Sequence, residues 1–306
     1  MNGITELGYM RLGVSSLARW KDYATEILGL EWCDEGEPKR AYLRMDSWHH
    51  RFILDEDGSD DMNAMGLRVA GQEEFAEMHK RLTDAGVRHE IGSRSLAVDR
   101  HVLEIMTLED PSGNPIEIFH GPHVQYGKPF HPGRRMYGGF ATGTAGMGHC
   151  LIRNNGFDAT YKFYTLLGMR GGIQYRTARP DGTTGEFLFF QCNDRQHTLG
   201  FGIGVEKRIN HVMIEAKGFD DLAFTYNLVK TRQIPIGIDL GRHANDHLYS
   251  FYFANPSGWM CEYAWGSRPA LAQSEYYDSD VYGHDHKDDV IDEQWHVRQA
   301  ARKAAE

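Results

Sequence analysis

The chain has 306 residues, 41% hydrophobic and 25% charged, enough for one large globular domain or two ordinary ones, each with its own core. A formal net charge of −10 disfavours nucleic acid and anionic membrane as partners, because both need a basic surface, and leaves a small molecule as the default ligand. No apolar run approaches the roughly 18 residues of a membrane helix, the N-terminus lacks a basic-then-apolar leader, and Cys33, Cys150, Cys192 and Cys261 stand without CxxC spacing, so a soluble, cytoplasmic protein without disulfides or structural zinc is expected.

Taken in order, the elements repeat. A first strand at Gly8-Tyr9-Met10 leads through an amphipathic helix to Leu28-Gly29. Helical spacing returns over Glu73 to Ala85, and the turn Asp110-Pro111-Ser112-Gly113 precedes a strand with Pro115-Ile116-Glu117. Pro122 to Arg135 has no periodicity and contains Gly127, Pro129, Pro132 and Gly133, which marks a connection between halves. The same series then runs again: Gly148-His149-Cys150, a helix to Leu167-Gly168, strands over Phe187 to Phe190 and His211 to Ala216, a helix over Phe219 to Lys230, a strand over Tyr249 to Phe253, and the turn Asn255-Pro256-Ser257-Gly258 before Met260-Cys261-Glu262. Two similar α+β domains are expected, residues 1–130 and 131–290, with a polar tail at 291–306.

Laying one half on the other sets His149 opposite Tyr9, His211 opposite Ala64 and Glu262 opposite Glu117. One half therefore offers two imidazoles and a carboxylate, the facial ligand set that suits ferrous iron and leaves coordination positions open, and the other offers only the carboxylate. A lone strand histidine is usually a hydrogen-bonded core or surface residue; the three together are more telling, because Glu262 amid Met260, Cys261, Tyr263 and Trp265 is costly to bury without a cation. Glu117 could instead pair with a base or a hydrogen-bond donor. Cys150 and Cys261, next to expected ligands, fall on the opposite strand face as small hydrophobes. His197, His243 and Tyr252 have the chemistry to move a proton and to steady reduced oxygen, and Phe187, Phe189, Met213 and Trp259 are candidates for an apolar wall or for core filling. His247 is expected to face solvent.

The chain resembles the two-domain extradiol dioxygenases of the vicinal oxygen chelate superfamily, which include 1,2-dihydroxynaphthalene and 2,3-dihydroxybiphenyl dioxygenases. Gly146-Met147-Gly148-His149, Asn210-His211, Gly241-Arg242-His243-Ala244-Asn245-Asp246, Ser250-Phe251-Tyr252 and Pro256-Ser257-Gly258 with Glu262 carry that resemblance. It implies a glyoxalase and bleomycin-resistance-like fold of repeated βαβββ modules, each domain curling a mixed sheet around a cup, with metal only in the C-terminal cup. It further implies Fe(II) on His149, His211 and Glu262, His197 at the oxygen-derived ligand, His243 on the substrate side and Tyr252 on a diol oxygen. Asn245 and Asp246 would support His243 and its loop, and Phe189 would lie beside the distal ring of a bicyclic diol. The partners implied are an aromatic diol, O2 and further copies of the chain, as a homo-oligomer up to an octamer. Mn(II) fits the same ligands. The triplet His286-Lys287-Asp288 is set aside as a rival metal motif because it lies in the polar tail, and a non-catalytic aromatic-binding protein of the same fold would have no use for the His149, His211, Glu262 set.

Overall fold

A computed structural model describes residues 3–178, 182–203, 207–271 and 275–287. The tail 291–306 and Asp288 lie outside the described residues. Among the described residues no helix is long and apolar enough to cross a membrane.

The first half runs β1 (Glu6–Gly13), α1 (Leu17–Asp22, continued by a π-helical turn Tyr23–Leu28), β2 (Glu31–Cys33), β3 (Arg40–Arg44) and β4 (Phe52–Asp55). It continues with β5 (Met62–Arg68), α2 (Gln72–Asp84), β6 (His89–Ile91), α3 (Arg94–Asp99), β7 (Glu104–Glu109) and β8 (Pro115–His120). The second half repeats this as β9 (His149–Arg153), α4 (Phe157–Leu166), β10 (Arg170–Ala178), β11 (Thr184–Gln191), β12 (Leu199–Ile203), β13 (Ile209–Ala216), α5 (Phe219–Thr231), β14 (Ile236–Arg242), β15 (Tyr249–Ala254) and β16 (Met260–Trp265), and adds β17 (Tyr282–Gly283). Each half is thus two βαβββ modules. The strand orders are the same, β2-β3-β4-β1-β5-β8-β7-β6 and β10-β11-β12-β9-β13-β16-β15-β14, with β17 added at the edge of the second sheet. In each sheet the two central strands, β1 with β5 and β9 with β13, run antiparallel and each has a parallel neighbour on its outer side.

Alternation along these strands separates core from cup. Cys150, Ile152, Val212, Ile214, Phe251, Phe253, Cys261 and Tyr263 all enter one large apolar cluster that spans both halves, while the intervening residues of the same strands face the cup. The halves are joined by Trp20 of α1, whose ring lies 5.9 Å from that of Trp259 and whose indole N–H donates to Ser257 Oγ at 2.9 Å. Trp259 is therefore core, and Met213, although on the cup side of β13, is packed beneath Leu248 and Ala264; neither lines the cup. Two glycines carry the entry to β9. Gly148 brings its α-carbon against the Met213 carbonyl, so that a Cβ would lie 2.0 Å from that oxygen, and Gly146 (φ +75°) approaches Leu7 O in the same way at 2.7 Å.

Candidate active site

Register places a row of side chains across four adjacent strands. His149 of β9 stands opposite Met213 of β13, Met213 opposite Glu262 of β16, and Glu262 opposite Tyr252 of β15; His211 is two residues before Met213 on the same face. The row brings His149 Nε2 within 3.0 Å of Glu262 Oε2, His211 Nε2 within 3.5 Å of the same oxygen, and the two Nε2 atoms within 3.4 Å of each other. All three side chains are buried, Glu262 completely, and its Oε1 has no hydrogen-bond partner. A sequestered carboxylate with one unpartnered oxygen, facing two imidazole nitrogens, fits a divalent cation with an N2O donor set.

Tautomers can be read from the outer ring nitrogens. His211 Nδ1 lies 2.9 Å from Asn210 Oδ1, an acceptor only, so the ring proton sits on Nδ1 and Nε2 presents a lone pair to the site. His197 does the same with Gln196 Oε1 at 2.7 Å, and Gln196 Nε2 in turn donates to Gln174 Oε1 at 3.0 Å. Burial, reinforced by the charge of His149, holds His197 well below the usual histidine range, against a smaller opposing pull from Glu262. Burial likewise pulls His211 down to about 3, so both rings are neutral near pH 7. Glu262 is held well below the usual carboxylate range: burial alone would raise it, but its contacts with His149 and His243 outweigh that.

His243, on the loop between β14 and β15, is the opposite case. Its Nε2 meets the Tyr252 hydroxyl at 2.7 Å and lies 3.5 Å from Glu262 Oε1, and its Nδ1 donates to Asp280 Oδ1 at 2.9 Å. Burial works against its charge, yet the bond to Asp280 and the nearby Glu262 carboxylate prevail and hold it well above the usual histidine range. Asp280 also accepts from His284 Nδ1 at 2.8 Å and from the Tyr175 hydroxyl at 2.7 Å, tying the segment after β16 over the site. Burial first, then Glu262, keeps the Tyr252 phenol protonated well above its ordinary range.

Comparison with known proteins places the chain in a family. Residues 146–263 match the Glyoxalase/Bleomycin resistance protein/Dioxygenase superfamily, and residues 7–56 match the first domain of dihydroxybiphenyl dioxygenase. The chain is 49% identical to a biphenyl-2,3-diol 1,2-dioxygenase of Sphingomonas paucimobilis over 93% of its own length and 95% of that protein's. It is 47% identical to a 1,2-dihydroxynaphthalene dioxygenase of Sphingobium xenophagum, covering 93% and 96% of the two chains. The chain belongs to the extradiol dioxygenases. A crystal structure of a catechol 2,3-dioxygenase, 49% identical, superposes with a TM-score of 0.92 over 94% of this chain and 96% of that one.

The cup of this extradiol dioxygenase has an internal volume of about 180 Å³ and opens to solvent at its mouth. Its polar floor is His149, His197, His211, His243 and Tyr252; its wall includes Phe187, Phe189, Leu151 and Ile238. Phe189 sets its ring edge-on to His197 at 4.7 Å. Phe251 and Phe253 turn the other way into the core, as alternation requires. The sequence expectation for Asn245 and Asp246 takes a different form here. Neither bonds His243, whose partner is Asp280; Asn245 donates to Gln174 Oε1 at 3.1 Å, and Asp246 Oδ2 lies 3.7 Å from His197 Nδ1 with no hydrogen-bond partner of its own. His247 is half-buried at the loop's outer side. Sequence reading did not find Asp280, His284 or Gln174. The only local signal was the pair His284 and His286 close after Asp280, in a segment without strand or helix periodicity.

Proposed function

We propose that this enzyme opens the ring of a bicyclic catechol, of the 1,2-dihydroxynaphthalene or 2,3-dihydroxybiphenyl type, beside its two hydroxyls, using ferrous iron held by His149, His211 and Glu262. The observation that carries the reading is the fully buried Glu262 carboxylate, with an unpartnered oxygen and two imidazole nitrogen neighbours, at the floor of an aromatic-walled cup. The relatives' named substrates, a biphenyl diol and a dihydroxynaphthalene, are both two-ring diols, and the aromatic wall of Phe187 and Phe189 suits a second ring.

Ferrous iron bound there supplies a one-electron route from the diol to O2 and open positions for both. The remaining chemistry falls to side chains. Tyr252, a neutral phenol, donates to one diol oxygen and fixes the ring's orientation. His243, held by Asp280, stands at the same edge and carries the proton exchanged with that oxygen. His197 turns its unprotonated Nε2 into the cup, where it takes up and returns a proton at the reacting oxygen. Phe187 and Phe189 pack the second ring and, with the strap through Asp280, exclude water. Asn245 and Asp246 belong to the support of the His197 side through Gln174 and the ring itself. The same reading includes a division at residue 130 into an N-terminal domain whose cup holds no metal and a catalytic domain, a cytoplasmic location and a homo-oligomer, the last measurable by light scattering.

The test is anaerobic loading with Fe(II), addition of 1,2-dihydroxynaphthalene, 2,3-dihydroxybiphenyl or catechol, and admission of oxygen while absorbance and oxygen uptake are followed. Stoichiometric uptake with ring-opened product, faster for the bicyclic diols, is expected. Fastest turnover with catechol overturns the substrate assignment. Binding without oxygen uptake overturns catalysis, and equal activity with Mn(II) overturns the choice of iron.

A further inference from the structure

The N-terminal half carries a histidine cluster that the ring-opening site does not use. His49 precedes β4, His101 follows α3, and His123 lies in the segment after β8. Backbone hydrogen bonds stitch the three together: His49 N–H donates to His123 O at 2.9 Å, and His123 N–H donates to His101 O at 2.8 Å. Their rings are nearly parallel. His49 and His101 stack at 3.6 Å and 15°, and His123 lies 5.5 and 6.1 Å from them at 23° and 24°. One ring nitrogen from each falls within 4.8 Å of those of the other two.

A carboxylate faces the same point. Glu35 Oε1 is 2.7 Å from His49 Nε2, and its Oε2 is 3.7 Å from His101 Nε2. Glu35 Oε1, an acceptor only, sets the His49 proton on Nε2, so Nδ1 of the buried His50 donates to His49 Nδ1 at 3.1 Å; a cation at Nε2 would displace that proton, and a proton on His49 Nδ1 could then be donated to His50. His50 Nε2, which then carries that ring's proton, has no hydrogen-bond partner and lies among the rings of Tyr9, Tyr42 and His101. His101 adopts a left-handed backbone (φ +51°), uncommon outside glycine and tolerated where the surroundings fix it.

We propose that His49, His101, His123 and Glu35 form a second metal site, beside the packed N-terminal cup and open to solvent, which binds a borderline divalent transition metal, zinc in the first instance. Three imidazole nitrogens and one carboxylate oxygen make a four-ligand zinc set, and the absence of thiolates and of further oxygens disfavours soft ions and calcium or magnesium. Ligands of a tetrahedral zinc lie about 3.3 Å apart for bonds of about 2.0–2.1 Å. The present spread closes by turning His123 and Glu35, both exposed, toward the buried His49. Exposure on that side also gives the ion its route in. Because His123 belongs to the connection between halves, binding pins that connection to the first domain.

The probe is zinc chloride, added to enzyme already loaded with Fe(II) and desalted anaerobically, with both metals counted after equilibrium dialysis and the thermal midpoint recorded. We expect one zinc per chain beyond the retained iron, and a raised midpoint. His101→Ala with His123→Ala lowers the affinity by roughly tenfold or more and removes the rise; Glu35→Gln, an exposed change that leaves the packing intact, weakens binding in the same direction. Zinc taken up only in exchange for iron, or bound equally well by these variants with unchanged circular dichroism, overturns the site. Because the variants lie outside the catalytic cup, their comparison with wild type decides the matter even if the iron assignment fails.

Discussion

Asp280 gives the sharpest test of how the cup is held, because one carboxylate there accepts from two imidazoles and a phenol. Asp280→Asn keeps the shape but presents only one acceptor oxygen, so the 2.9 Å bond from His243 Nδ1 and the 2.8 Å bond from His284 Nδ1 can no longer both form. The side chain of Asp280 is 23% exposed, so solvent partly replaces what is lost at His284, while His243 loses the partner that keeps it charged and oriented. A hydrogen bond to a charged group contributes about 1.5–3 kcal/mol, which at about 1.4 kcal/mol per tenfold corresponds to a kcat loss of roughly 10- to 150-fold. The assay is steady-state turnover of 2,3-dihydroxybiphenyl and 1,2-dihydroxynaphthalene with metal content measured in parallel. We expect kcat to fall while KM moves by less than about threefold and metal content is unchanged, since Asp280 meets the aromatic wall only at the Tyr175 hydroxyl and bonds none of the three expected ligands. A positioning role also demands non-additivity: in a His243→Asn background the same change should cost little more, because the group it orients is already gone. Full kcat in Asp280→Asn, or losses that simply multiply in the double variant, would refute this account.

Four other outcomes follow from the same geometry. Glu262→Gln should lose most of the bound metal and all measurable turnover; full metal content by elemental analysis removes Glu262 from the ligand set. His197→Asn should retain metal and anaerobic diol binding while ring opening slows by about 10²–10⁴-fold, and unchanged single-turnover rates would strip it of that role. Phe189→Ala should raise KM for the bicyclic diols by roughly tenfold, the worth of part of a ring's burial, yet leave catechol nearly unaffected; equal effects on both would place Phe189 in the core alone. Trp20→Ala should destabilise the protein by about 3–5 kcal/mol in urea melts, since the indole packs on Trp259 and bonds Ser257, and a loss below about 1 kcal/mol would show that the halves do not depend on that contact.

Much of this architecture was readable in the chain because period-2 alternation and the duplicated turns fix register. Matching Gly71 with Gly218 and the Asp110 and Asn255 turns was enough to set His149, His211 and Glu262 against Tyr9, Ala64 and Glu117, and the two sheets pair these positions in that way. Motif, register and the cost of burying Glu262 all pointed to one place. Asp280 and His284 escaped because β17 is only two residues long and owes its position to pairing with Gly241 and Arg242, a contact with no signature in its own sequence. The support of His243 was sought among its chain neighbours Asn245 and Asp246, when the bond comes from a segment that crosses back over the cup. Met213 and Trp259 were ambiguous for the opposite reason: apolar side chains on strand and turn read alike whether they line a pocket or fill a core.

The duplication also explains why the carboxylate occurs twice while the imidazole pair occurs once. In the first sheet the row Tyr9, Gly66, Glu117, Thr107 stands where the second has His149, Met213, Glu262, Tyr252. A side chain on Gly66 would collide with the Tyr9 ring at 2.5 Å, so the small residue on β5 makes room for the large one on β1. Tyr9 then reaches across to hydrogen-bond Glu117 through its hydroxyl, and Arg100 Nε bonds both carboxylate oxygens at 3.0 Å. A buried guanidinium and a phenol thus do for Glu117 what two imidazoles and the proposed cation would do for Glu262: they satisfy a carboxylate that the fold keeps out of water. Even His50 keeps the register of His197, since Phe52 pairs with Met10 as Leu199 pairs with Cys150. Placing a metal in that cup would therefore need more than Tyr9→His and Ala64→His. Arg100 would have to be neutralised as well, because its charge already occupies the place of the ion, and a Tyr9→His, Ala64→His variant that keeps Arg100 should bind no metal between β1, β5 and β8 until Arg100→Met is added.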